Sequence, residues 1–109
     1  MSATHTRVDF DALRAQVPPD GILSRTVFND DHVKAVWFGF APGQELSEHT
    51  ASMPAIIHIL EGEARLTLGA ESSEAHAGSW VHMPAQTPHG VRAVTQVTML
   101  LLLLKTPAA

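Results

Sequence analysis

The chain of 109 residues contains no cysteine and no tyrosine. Without thiols there are no disulfides, no thiolate-bound zinc and no cysteine nucleophile. Without a phenol, proton transfer by a tyrosine acid is excluded. Positive charge is scarce as well: seven Lys and Arg are scattered along the chain, and the formal net charge is −4. Nucleic acid is therefore not an expected partner, because neutralising phosphates needs clustered cations. No apolar run is long enough to cross a bilayer, since Met99 to Leu104 falls far short of the roughly 20 residues of a spanning helix. No membrane partner is expected either. The segment from Met1 to Asp9 has no apolar core of the kind a secretory signal requires, so a cytoplasmic location is the expectation. Repeats and low-complexity tracts are absent, and no serine stands in a nucleophile-elbow context.

Apolar residues make up 45% of the chain and charged residues only 17%. That balance excludes disorder and suits one compact domain whose surface is partly covered by a second copy. A chain of this length buries a core without covalent staples. Asp9 or Asp11 is placed to cap a short helix running to about Gln16, with Phe10 and Leu13 on one side, and Pro18-Pro19 ends it. Residues 1–20 thus read as an N-terminal arm and 21–109 as a single β-domain.

From Gly21 onward, short segments alternate with turn chemistry at Asn29-Asp30-Asp31, Pro42-Gly43, Glu61-Gly62, Gly69-Ala70, Ala77-Gly78 and the Pro84 to Pro88 corner. This spacing predicts an all-β, antiparallel sandwich or jelly-roll barrel of about eight strands. Glu63 to Leu68 alternates with period two, placing Ala64, Leu66 and Leu68 on one face. Val33 to Phe40 and Val97 to Leu104 are apolar on both faces, which calls for cover outside as well as packing inside.

Two segments carry a resemblance. The first runs from Gly43 through His49 to Gly62, the second from Gly78 through Pro84 to His89. Together they resemble the two motifs of the cupin superfamily, whose first motif reads Gly, five residues, His, one residue, His, three or four residues, Glu, six residues, Gly. Here Gly43, His49 and Gly62 match, while Ala51 stands at the second His position and Ala55 at the Glu position. The second family motif reads Gly, five residues, Pro, one residue, Gly, two residues, His, three residues, Asn. Gly78, Pro84 and His89 match it, with Gln86 replacing Gly and Ala93 replacing Asn.

The resemblance implies the double-stranded β-helix barrel of RmlC-like proteins, a site inside the barrel, and a dimer. It also implies that His49 and His89 are the candidate metal ligands, with iron, manganese, nickel or zinc as the candidate ions. Two imidazoles hold a divalent ion weakly, so further donors are needed. His82 and His58 are the possible recruits, although strand parity turns both outward unless a bulge intervenes. Parity also puts Glu45 on the face of His49 and turns Glu48 away.

Met53, Ile57 and Met83 are candidate pocket walls, and Arg92 is the best placed of Arg25, Arg65 and Arg92 to meet an anionic ligand. Met53, Met83, Trp37, Phe38 and Phe40 equally fit a plain core. The expected function is a barrel that binds a small molecule, with or without a divalent metal, in a pocket around His49 and His89; the alternatives are a metal-free, non-catalytic binding or sensory module and a metal-dependent oxygenase or isomerase with a nonstandard ligand set. Sugar-epimerase members of the family use a His base with a Tyr acid; this chain has no Tyr, so metal-free acid-base catalysis, ranked last, needs another acid, such as Glu45 paired with His49.

Overall fold

A computed structural model describes residues 4–105. A single helical turn, α1 (Asp11–Arg14), precedes nine strands: β1 (Ile22–Asn29), β2 (Val33–Phe40), β3 (Glu45–His49), β4 (Ala55–Glu61), β5 (Glu63–Leu68), β6 (Glu71–His76), β7 (Trp80–Met83), β8 (His89–Ala93) and β9 (Val97–Leu104). They form two antiparallel sheets, a five-stranded one in the order β1-β2-β9-β4-β7 and a four-stranded one in the order β3-β8-β5-β6. The expected jelly-roll architecture is therefore present.

The alternation read from β5 is what the fold uses. Ala64 and Leu66 are buried and Leu68 half-buried, while Glu63 and Arg65 face solvent. Gly69 opens the two-residue turn to β6 with φ of 60°, the left-handed conformation that tight hairpin loops require. The inner faces of both sheets meet in one core, in which Phe40, Ile57, Ile59, Leu66, Val97 and Met99 are almost wholly removed from water.

The helix is shorter than its sequence signals imply. It starts at Phe10 without a side-chain cap, and neither Asp9 nor Asp11 caps it. Asp11 instead lies within the turn and pairs with Arg14 three residues on. One turn cannot sustain a helix on backbone bonds alone, and the segment is held by its packing.

That packing answers the need for cover on β2, and the cover comes from within the chain. Trp37 points away from the barrel interior yet is 0% exposed. Phe10 of the arm stacks on it with ring centroids 6.3 Å apart, and Val17 lies over Gly39. Arg14 then ties the arm to β4 through the Glu61 carboxylate at 2.7 Å, and Glu61 in turn accepts a hydrogen bond from Thr98 Oγ1 at 3.1 Å. The arm covers β2, while Leu100, Leu102 and Leu104 of β9 remain half-buried beyond it.

Gly62, the turn between β4 and β5, has φ of 87°, and a Cβ there would fall 2.0 Å from the Gln96 carbonyl oxygen. Gly43 has a similar φ of 83° but open space around it. Gly62→Ala therefore meets both backbone strain and an immovable neighbour, whereas Gly43→Ala meets strain alone. Urea unfolding should show Gly43→Ala costing roughly 1–2 kcal/mol and Gly62→Ala clearly more. Equal losses would contradict the crossing of these two chain segments.

Candidate functional site

Strands β3 and β8 run antiparallel with Glu45 opposite Arg92 and Leu46 opposite Val91, after which the register shifts and His49 stands opposite His89. On β8, His89, Val91 and Ala93 are buried and Arg92 is exposed. Leu46 faces inward with Val91, and strict alternation would turn His49, three residues later, outward. The shift inserts one residue and turns it back in. The parity expectation for Glu45 is thereby corrected: it lies with Arg92 on the outer face, not on the face of His49.

The outcome is a pair of imidazoles with ring centroids 4.3 Å apart and planes tilted by 55°. His89 is 5% exposed, and His49 is exposed. Each ring is fixed in the same way. His49 Nδ1–H donates to the Ser47 carbonyl at 2.8 Å, and His89 Nδ1–H donates to the Thr87 carbonyl at 2.8 Å. A carbonyl can only accept, so both neutral rings carry their proton on Nδ1 and present Nε2 as a free acceptor. Among the described residues, neither Nε2 has a hydrogen-bond partner.

The remaining candidates are placed elsewhere. His58 is half-buried on the outer face of β4, opposite Trp80 and Leu100, because Ala55, Ile57 and Ile59 take the inner positions. His82 is exposed on the same outer face, opposite Ile56. Neither joins the pair. Ile57 and Met83, at 1% and 3% exposure, belong to the packed core rather than to pocket walls. Met53 is half-buried in the bend before β4. Arg92 points outward and also lies off the pair.

Ala55, at the position of the family's acidic ligand, is buried on the inner face opposite Met83. Ala51, at the second His position, accepts a backbone hydrogen bond from Gln86 at 2.8 Å. Among the described residues, no group of three His, Asp or Glu could hold a metal ion. Structural zinc sites use four protein donors and catalytic ones three, so two imidazoles alone are too few to fit a resident ion of that kind. Four clefts on the surface of the described residues are walled by other side chains, not by either imidazole.

Gln86 has φ of 67° although it is not glycine. It occupies the position where the family motif has Gly, so the turn is kept while the residue suited to it is lost. Substitution Gln86→Gly should raise the midpoint of thermal unfolding, by the equivalent of up to about 1 kcal/mol. Gln86→Val should lower it. A destabilising Gln86→Gly would mean that the glutamine side chain holds the corner in another way.

Comparison with known proteins agrees with this fold. The profile of the cupin domain family matches residues 36–105. Among solved structures, the chain is similar to a conserved protein of unknown function from Streptococcus pyogenes, with 32% identity, coverage of 97% of this chain and 93% of that one, and a TM-score of 0.80. An RmlC-like cupin from Desulfovibrio desulfuricans is 31% identical, with 95% and 96% of the two chains covered and a TM-score of 0.71. A cupin superfamily protein from Desulfitobacterium hafniense is 25% identical over 82% of each chain, with a TM-score of 0.77. A search of curated proteins found no match.

Proposed function

The chain belongs to the cupin family, and from that premise we propose that it is a binding module that takes up a small molecule at the His49–His89 pair without a resident metal. The observation that carries this reading is the shared geometry of the two rings: their centroids lie 4.3 Å apart, both Nδ1 atoms are committed to backbone carbonyls, and both Nε2 atoms are left as acceptors. Such a pair receives two hydrogen bonds from one ligand, as adjacent hydroxyl or amide groups would supply. Replacement of the family's other two donor positions by Ala51 and Ala55 removes charge from the barrel and favours a mainly apolar ligand body.

The reading extends to a cytoplasmic homodimer. Its support is the outer face of the five-stranded sheet beyond the arm, where Ile56, Leu60, Leu100 and Leu102 are half-buried and Trp80 is 58% exposed. An apolar surface of this extent in a chain with few charges favours a covering partner, and a second copy is the partner of matching chemistry.

A thermal-shift screen of metabolites, run with and without a chelator, tests the function. A ligand should raise the melting temperature equally in both conditions, and His49→Ala or His89→Ala should each remove the shift. Stabilisation that vanishes with chelator would instead mean that a metal arrives together with a ligand supplying its missing donors, as the oxygenase or isomerase reading requires. The unliganded sample should scatter light as two chains; a single-chain mass contradicts the dimer.

A further inference from the structure

We propose that the cleft on the outer face of the four-stranded sheet is a second binding site, taking a small organic anion with a carboxylate or phosphate group, and that its occupancy reaches His49 through the β3 bulge. The cleft has a volume of about 250 Å³, and its walls include Arg65 and Arg92. These two arginines are direct cross-strand partners on β5 and β8. Like charges in that relation repel. Arg65 reaches Glu74 at 3.7 Å, a long contact between exposed groups. Arg92 lies opposite Glu45 in register but makes no ion pair with it or with any other described residue.

A pair of guanidinium groups left in this state matches the paired oxygens of a carboxylate or phosphate. One row along the sheet, Thr67 and Ser72 are opposite each other and bring two hydroxyls to the same cleft. Glu45 and Glu48 also stand in its wall. Their charges repel a polyanion, so the site suits a compact ligand of low charge.

The lip of the cleft is formed by Ser47 and Glu48, the residues of the bulge. They fold over Gly90, where a Cβ would stand 3.1 Å from the Leu46 carbonyl oxygen and 3.2 Å from the Glu48 nitrogen. The Ser47 carbonyl is also the acceptor that fixes the His49 ring on the other side of the strand. A ligand pressing on Ser47 therefore moves the group that orients one imidazole of the inner pair.

Titration of the intact protein with acetate and, separately, with inorganic phosphate, followed by amide and imidazole NMR, tests both halves. Saturable shifts at the amides of Ser47, Glu48 and Arg92 are expected, with the His49 ring resonances moving in step. Affinity should fall about tenfold in Arg65→Gln and in Arg92→Gln, substitutions at exposed positions that should leave the melting curve unchanged. The anion site should survive His89→Ala, which removes the barrel ligand of the proposed function, so failure of one reading is distinguishable from failure of the other. The tighter probe identifies the anion class. No saturable shift with either probe, shifts that persist in both arginine variants, or loss in His89→Ala would overturn the site. A His49 ring that stays still while Ser47 moves would overturn the coupling.

Discussion

One inserted residue in β3 sets the chemistry of this molecule. Antiparallel pairing sends alternate side chains to opposite faces, and Leu46 already faces inward opposite Val91. For His49 to face inward as well, the strand must gain a residue against its partner. Room for the extra backbone comes from Gly90, the one β8 position without a side chain, directly beneath the bulge. The same irregularity throws Ser47 and Glu48 over the outer surface, so the inner pair and the outer cleft share one cause.

Much of the fold was legible because it rests on local patterns. The alternation of Glu63 to Leu68, the turn at Gly69-Ala70 and the doubly apolar β2 and β9 all reappear as read. Parity also placed His58 and His82 on the outside correctly, since β4 and β7 pair without a shift between Ala55 and His58. The same rule failed for Glu45, because nothing in Leu46-Ser-Glu-His49 marks where the ladder slips. The bulge is a property of two strands together, and only the partner glycine hints at it. The helix at residues 11–14 was over-read for a related reason: carboxylates suited to capping were present, but the segment is ordered by Trp37 beneath it.

The outer surface shows how a chain with few charges manages apolar strands on both faces. Phe10 and Val17 seal Trp37 and Gly39, and an ion pair between Arg14 and Glu61 fastens the arm across the sheet. Exposed ion pairs contribute little by themselves, so the aromatic contact is the main hold. The indole nitrogen of Trp37 is buried without a hydrogen-bond partner, a cost accepted for filling the space between arm and sheet. Inside the barrel the opposite economy applies: methyl groups stand at Ala51 and Ala55, where the family motif has an imidazole and a carboxylate, and the two imidazoles that remain are held by backbone alone.

The most direct check on this account is the protonation pattern of the two neutral rings, read from long-range nitrogen–proton NMR spectra together with ring-to-ring Overhauser contacts. The account predicts that His49 and His89 both carry the proton on Nδ1 and that their rings give a mutual contact. A proton on Nε2 of either ring would contradict the backbone bonds that hold the pair, and rings too far apart to show that contact would mean that β3 does not turn His49 toward His89.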